Sequence, residues 1–393
     1  MKGNCIIGQS GGPTSVINSS LAGVVAAASA SGRFGSIYGM RYGIEGFMQE
    51  NIVDLGVRGE ALINGLRRTP GSALGSSRHK VREEDFRRIM DVLKKWNIRY
   101  FFLIGGNDTM DTINRVEAYC RDHGYEMTGI GIPKTVDNDL FGTDHTPGFA
   151  SAARSNVLNV MQAGVLARDM KKVDQFVVYQ TIGRDAGWLG AATALAKRRE
   201  EDAPHLIYCP EFIFDDQKFL TEVEAVYKNH GWVSVVCGEG LKYADGTPVS
   251  ASRTQDKFSN IEFGAMGGAS VGLNLHRMIS KEFGFRGEFQ ITESLIMSDF
   301  VRAVPRDLEE AYQCGVEAVK LAEAGETGYM VTIDRLSDDP YTIQYCKALL
   351  KDVAVRAKPM PISWFNEQGN FVGEPFLNYI RPLIGDLPEF YQL

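Results

Sequence analysis

The sequence predicts an α/β protein whose sheets are mostly parallel and covered by helices on both faces. Short apolar runs alternate along the chain with segments that carry apolar residues at helical spacing, the pattern of repeated βαβ units. The 393 residues leave room for two or three such domains. "NCIIG" is a short strand ending in glycine, "SVINSSLAGVVAAASAS" has helical content, and "GSIYGMRYGIEGFM" returns to strand and turn. "EEDFRRIMDVLKKWN" places Phe86, Ile89, Met90 and Leu93 on one helical face and leads into the buried-strand run "RYFFLIGG". A helix from Met110 to His123 and the strand "MTGIGIP" follow. Then come a helix near "GFASAARSNVLNVMQAGVLARDM", the strand "QFVVYQTIG", the helix "AGWLGAATALAKRRE" and the strand "HLIYCPE". "FLTEVEAVYKNH" and "WVSVVCGEG" repeat the pattern. The domain break is expected after "VDNDL". This gives a first domain of residues 1–139 that the chain re-enters at about 260–310, a second of 140–259, and a mostly helical part of 311–393. In that last part Ala311, Gly315, Ala318 and Ala322 recur at helix spacing and read as packing.

Composition narrows the function. Forty-four per cent hydrophobic residues with 42 glycines and 14 prolines describe a globular chain. A net charge of -7 argues against nucleic acid and anionic membranes as partners. "MKGNCIIGQSGG" lacks the apolar stretch of a signal peptide and no apolar run reaches 18 residues, so a cytoplasmic protein without membrane contact is expected. Cys5, Cys120, Cys209, Cys237, Cys314 and Cys346 form no C-x-x-C pair, which favours reduced thiols over disulfides or zinc.

Open α/β sheets bind ligands at the carboxyl ends of their strands, so the loops directly after apolar runs are the informative ones. In "GQSGGPTS", Gly11 and Gly12 let backbone amides approach an anion at a helix start; a tight strand-to-helix turn accounts for them equally well. In "IGGNDTMDT", Asn107 and Asp108 add a metal-capable amide and carboxylate, and helix capping is the ordinary alternative. "IGIPKTVDNDLFGTDHTPGF" gathers Lys134, Asp137 and Asp139 within six positions. The aspartates suit a proton acceptor and a magnesium anchor, and Lys134 suits phosphate oxygens; a solvated turn is the competing reading. "TIGRDAGWLG" presents Arg184 after a strand, a bidentate fork for phosphate or an ordinary surface arginine. No Walker lysine, H-E-x-x-H pattern or nucleophile triad occurs. Together these loops point to phosphoryl transfer.

"GQSGGPTSVIN", "GSALGSSR", "IGGNDTMDT", "PKTVDNDL", "GTDHTPGFASAA" and "GRDAGWLGAA", in this order and spacing, resemble the phosphofructokinase family and in particular its pyrophosphate-dependent branch. The likeness is specific to about residue 200 and looser beyond. It implies the phosphofructokinase fold, two similar three-layer αβα, Rossmann-like domains. The first would bind the donor and the second the acceptor sugar, with the carboxyl-terminal part packing on both. In the ATP-using branch the positions matching Asp108 and Lys134 are typically glycines; in the pyrophosphate branch they are Asp and Lys. The acid at Asp108 is therefore expected to repel the α-phosphate of ATP, while Lys134 accepts the compact charge of pyrophosphate. The resemblance implies that Asp137 takes the proton of the acceptor hydroxyl and that Gly11, Gly12 and Arg78 hold donor phosphate. Thr135 would contact the sugar or the reacting phosphate, Arg184 would stabilise the transition state, and Glu239 of "VVCGEG" would hold sugar hydroxyls. Asn107, Asp108 and Asp139 make up the implied magnesium set. Asn107 stands where many members have an aspartate, and an amide still coordinates magnesium or holds its water.

Two departures concern the acceptor. Gln175 occupies a position where some members place an arginine that reaches the sugar 6-phosphate in a neighbouring subunit. The family segment G-[HY]-x-Q-R is expected in "EFQITESLIMSDFVRAVPRDLEEA", where Met297 and Ser298 stand in its place. Arg286, Arg302 and Arg306 are candidates to replace it, with Arg286 assigned to the acceptor and a surface role equally open for each. The leading expectation is magnesium-dependent, reversible transfer from pyrophosphate to the 1-hydroxyl of fructose 6-phosphate by a homodimer or homotetramer. The alternatives are the same chemistry on sedoheptulose 7-phosphate or an unphosphorylated sugar or polyol, an ATP-dependent kinase, and a non-catalytic sugar-phosphate-binding homologue.

Overall fold

The computed structural model describes residues 2–250 and 270–391. The chain forms two compact units, Met1–Ser151 with Met297–Lys358, and Ala152–Ile296 with Pro359–Leu393. The first unit runs β1 (Asn4–Gln9), α1 (Ile17–Ser31), β2 (Ile37–Met40), α2 (Gly43–Met48), β3 (Ile52–Asp54), α3 (Gly59–Leu66), α4 (Asp85–Lys95), β4 (Ile98–Gly105), α5 (Asn107–Asp122) and β5 (Thr128–Pro133). Helix α6 (Phe149–Asp169) leads into β6 (Phe176–Thr181), α7 (Trp188–Ala192), β7 (Leu206–Tyr208), α8 (Asp216–His230), β8 (Val233–Gly238), α9 (Val271–Phe283) and β9 (Gly287–Ile291) of the second. The chain returns to the first with α10 (Pro305–Glu323), β10 (Tyr329–Asp338), β11 (Tyr341–Leu349) and α11 (Leu350–Val355), and α12 (Glu374–Ile384) belongs to the second.

The first sheet has the order β11-β10-β5-β4-β1-β2-β3, with antiparallel pairing only at its two edges. Strand β4 explains the unbroken apolar run: Tyr100, Phe102 and Ile104 enter the core shared with α1 and α10, while Phe101 and Leu103 enter the one shared with α4 and α5. A strand buried on both faces needs no polar alternation. Helix α4 buries Phe86, Ile89, Met90 and Leu93. Helices α1 and α10 approach through glycine, since a Cβ on Gly23 would lie 2.0 Å from the Tyr312 carbonyl oxygen and one on Gly315 2.2 Å from that of Ser20. From β1 the chain winds to β2 on one side and to β4, β5 and β10 on the other. The loops after β1 and β4 therefore open at a topological switch point, where such sheets bind ligands.

The second sheet, β7-β8-β6-β9, is parallel throughout. One face packs Phe176, Val178, Val233 and Val235 against Phe219 and Val223 of α8 and Leu275 and Ile279 of α9. On the other face the Tyr179 hydroxyl donates to Asn156 Oδ1 of α6 at 2.6 Å.

The units divide the chain at places other than those expected from sequence. The break lies at Ser151 rather than after Asp139, because the intervening loop stays tied to the first sheet: Thr143 Oγ1 accepts from Ile333 N at 3.0 Å and Asp144 N donates to the Ile333 carbonyl at 2.8 Å. Residues 270–296 belong to the second unit, since β9 pairs with β6; residues 260–269 of the expected return lie outside the described residues. The stretch 311–393 is not mostly helical, because the hairpin β10–β11 extends the first sheet. Strand β11 alternates half-buried and exposed positions, as an edge strand does. Ala311, Gly315, Ala318 and Ala322 of α10 are buried. Among the described residues no helix is long and apolar enough to cross a membrane.

Candidate active site

Three loops at the carboxyl end of the first sheet hold most of the expected site residues. After β1, Gly11 takes φ +76°, a left-handed conformation that suits glycine. Its N–H donates to the Ser77 carbonyl at 3.1 Å, and Ser76 Oγ donates to the Gly11 carbonyl at 2.5 Å. The "GSALGSSR" segment is thereby bound to the glycine loop. Two buried amides missed in the sequence reinforce this: Gln9 Oε1 accepts from Leu74 N at 2.9 Å, and Asn18 Oδ1 accepts from Ala73 N and Gln9 Nε2, both at 2.8 Å. Arg78 ends the segment with an exposed side chain, and among the described residues no hydrogen bond or ion pair holds its guanidinium.

Lys134, at the end of β5, is only 5% exposed. Its ammonium donates to the Gly12 carbonyl at 2.8 Å, and a Cβ on Gly11 would lie 3.2 Å from it. The glycines after β1 thus make room for a buried cation. Gly12 is also covered from another side, since a Cβ there would lie 2.3 Å from Met297 Cε.

After β4, Asn107 and Asp108 occupy the first two positions of α5, and the cap is Gly106 with no side-chain hydrogen bond. The capping alternative does not describe these side chains. Among the described residues Asn107 Oδ1 is buried without a hydrogen-bond partner, whereas Asp108 is exposed and lies 3.7 Å from the Lys80 ammonium. A buried amide oxygen left unpaired is costly, and a cation or its bound water satisfies it. Among the described residues no three His, Cys, Asp or Glu side chains cluster to hold a metal. The amide oxygen of Asn107 and the carboxylates of Asp108 and Asp139 are hard oxygen donors, the type that fits magnesium, and would leave the rest of its shell to phosphate and water.

The loop after β5 is not a solvated turn, because Lys134, Val136 and Asn138 are all buried. Asn138 takes φ +57°, and its Oδ1 accepts from Thr146 N at 3.1 Å. Thr135 Oγ1 accepts from Asp137 N at 3.1 Å, and Thr146 Oγ1 donates to the Thr135 carbonyl at 2.8 Å. Asp137 and Asp139 thus flank one buried, left-handed residue, both partly exposed. Four further residues that the sequence did not single out, Lys358, Asp144, His145 and Glu310, support this loop. Lys358 Nζ donates to Asn138 Oδ1 at 3.2 Å, and its charge and the carboxylate of Asp139 interact. Burial pushes the Lys358 ammonium down to about 7, although Asp144 and Asp139 oppose the shift. His145, fully buried, contacts Asp144 Oδ2 at 2.8 Å and Glu310 Oε2 at 2.7 Å.

In the second unit, Arg184 follows β6 at φ +45° with an exposed side chain. Glu239, directly after β8, accepts through Oε1 from the Gly183 and Arg184 amides, both at 3.2 Å. Burial raises the Glu239 pKa, while those amides and the Arg184 charge oppose the rise. One oxygen of the expected sugar ligand is therefore engaged in shaping the arginine turn. The structure does not bring Arg286 to this place. It precedes β9, its Nε sits 2.8 Å from Asp174 Oδ1, and its carbonyl accepts from Gln175 N. Parallel strands put Arg286 and Gln175 at the amino ends and Arg184 and Glu239 at the carboxyl ends, about 20 Å apart for strands of this length. Arg302 Nε lies 3.6 Å from Asp299, and Arg306 stacks 4.3 Å from the Tyr341 ring centroid.

Residues 4–322 match the family model described as Phosphofructokinase. The chain belongs to the phosphofructokinase family. Among its relatives, a pyrophosphate--fructose 6-phosphate 1-phosphotransferase of Halomonas elongata is 36% identical over 98% of this chain and 93% of its own length. A sulfofructose kinase of Alkalicoccus urumqiensis is 32% identical over 88% of each chain. The crystal structure of a pyrophosphate-dependent phosphofructokinase from Marinobacter aquaeolei superposes with a TM-score of 0.88 at 32% identity, covering 99% of this chain and 94% of the other. This phosphofructokinase-family chain is accordingly an enzyme of the phosphotransferase class.

Proposed function

We propose that the chain transfers a phosphoryl group reversibly from pyrophosphate to the 1-hydroxyl of fructose 6-phosphate with magnesium. The observation that carries this reading is Lys134, a buried cation held on the Gly12 carbonyl with Asp108 at the mouth of the neighbouring loop. A fixed ammonium there favours a compact, highly charged donor, and the Asp108 carboxylate opposes the extra α-phosphate of ATP. The pyrophosphate-dependent relatives support the same donor.

In the forward direction the acceptor oxygen attacks a phosphorus atom of pyrophosphate, the bridging P–O bond breaks, and orthophosphate leaves. The hydroxyl proton goes to Asp137. Gly11, Gly12, Arg78 and Lys134 hold the donor, and Thr135 holds the sugar or the reacting phosphate beside Asp137. Arg184 neutralises charge developing on the transferred group, with its turn kept in shape by Glu239. Asn107, Asp108 and Asp139 would hold magnesium, which when bound screens phosphate charge. We assign the enzyme to the cytoplasm as a homodimer or homotetramer, with sugar phosphate and pyrophosphate as its partners.

A second reading keeps the donor and changes the acceptor. It is favoured by the 3-10 turn Glu293–Ser298, whose Met297 lies on Gly12 where the family's Q-R segment was expected, and by the sulfofructose kinase relative. The deciding experiment follows product formation with magnesium, crossing pyrophosphate and ATP with fructose 6-phosphate, sedoheptulose 7-phosphate, sulfofructose and unphosphorylated sugars. Fructose 6-phosphate turnover with pyrophosphate alone is expected. Turnover with ATP alone would overturn the donor assignment, and turnover only with another sugar would replace the acceptor.

A further inference from the structure

Asn138 is the residue on which the loop after β5 turns. It is fully buried, takes φ +57°, and separates Asp137 from Asp139. Asparagine is one of the few non-glycine residues that visit this region, and its surroundings determine that it stays there. One residue far along the chain supplies much of that determination. Lys358 donates through its backbone N–H to the Asp139 carbonyl at 2.8 Å, and Leu140 forms an antiparallel bridge with Ala357. Its ammonium then reaches Asn138 Oδ1 at 3.2 Å, the Thr143 carbonyl at 3.1 Å and the Asp144 carbonyl at 2.6 Å. A single side chain so ties the start of the loop to its far end, and an ammonium, with three donors and no acceptor, matches three oxygen acceptors.

We propose that Lys358 is a positioning residue for phosphoryl transfer, clamping Asn138 so that Asp137 and Asp139 point as the reaction requires. The role rests on the functional reading of those two aspartates; the clamp itself does not. Lys358→Met removes the donors and keeps most of the volume, leaving the Thr143 and Asp144 carbonyls without this partner. A clamp of the reacting groups predicts a loss in kcat of about 10-fold to 100-fold with the KM for pyrophosphate changed less than threefold. Lys358→Arg, which keeps charge and donors, should recover part of that loss.

The measurement that does not need turnover is hydrogen exchange followed by mass spectrometry. Peptides covering residues 136–147 should exchange faster in Lys358→Met, with β6 peptides unchanged. Unchanged exchange in 136–147 would overturn the clamp, and faster exchange with kcat within twofold of the parent would overturn its catalytic role. If the unaltered protein turned over no donor and acceptor pair, the functional reading and with it the catalytic role would fall, while exchange still decided the clamp. Should Lys358→Met not fold, Lys358→Gln carries the same comparison, because one amide cannot replace all three contacts.

Discussion

Asp137 and Lys134 are three residues apart and do separable work. On the proposed mechanism Asp137 takes the proton of the acceptor, so Asp137→Asn is expected to lower kcat by about 10²-fold to 10⁴-fold with little change in either KM. Initial rates at saturating pyrophosphate check this, and a KM effect alone would assign Asp137 to binding. The same proposal puts Lys134 on the donor together with Asp108. Replacing both by glycine opens the site beside Gly11 and removes the acid, so the ratio of ATP to pyrophosphate turnover is expected to rise about 10-fold to 100-fold. Coulomb repulsion of a few kcal/mol, trimmed by screening because Asp108 is largely exposed, sets that scale. Competition kinetics with the two donors measure the ratio. The candidate donor loops were legible in the sequence because Gly11, Gly12, Asp108 and Lys134 lie in short contiguous stretches after apolar strands. Lys358 was not, since it reaches Asn138 across 220 positions and nothing in "RAKPMP" announces that contact.

Elements were legible where burial repeats with a clear period. Strand β4 and helix α4 follow from the run "RYFFLIGG" and from Phe86, Ile89, Met90 and Leu93. The small residues of α10 were read as packing, and they are what lets it approach α1. Gly315→Ala would set a Cβ 2.2 Å from the Ser20 carbonyl and close to backbone on the facing helix, where no side-chain rotation relieves the clash. Such overpacking costs about 1–3 kcal/mol, more than the gain in helix propensity of about 1 kcal/mol. The urea midpoint of the variant is expected to fall, and an unchanged or raised midpoint would show that the helices separate at little cost. The hairpin β10–β11 was less legible. Its half-exposed edge strand gives a weak alternating pattern, and α10 before it made the whole terminus read as helical. Arg286 shows what sequence distance leaves out: strand direction, which puts it at the amino end of the sheet beside Gln175.

At the scale of the whole molecule, the buried charges of the first unit give stability a dependence on pH with a definite sign. Both ring nitrogens of His145 face carboxylates, at 2.8 Å to Asp144 and 2.7 Å to Glu310, so the arrangement is satisfied by a ring that donates from both nitrogens. Burial opposes that charge, but the hydrogen bonds and charges of Asp144 and Glu310 outweigh it and raise the His145 pKa. A raised histidine contributes stability that is fully present below the unfolded pKa of about 6.5 and is lost as pH rises through its folded value. Asp144 behaves in the opposite sense. Burial works against its ionisation, yet the bond to His145 and the charges of His145, Arg335 and Lys358 lower its pKa, so its contribution disappears only as pH falls through that depressed value. Other groups act with the opposite sign: burial lowers His205 to about 3 and Lys358 to about 7, so stability rises with pH below about 6.5 through the first and above about 7 through the second. The total curve therefore mixes signs, and a variant isolates the network. His145→Gln keeps hydrogen-bonding capacity and removes the charge, so its destabilisation relative to the parent should be largest near pH 6 and shrink steadily toward pH 9. Urea unfolding of both proteins across that range measures the difference, and a gap that stayed constant or widened with pH would mean that His145 is held neutral.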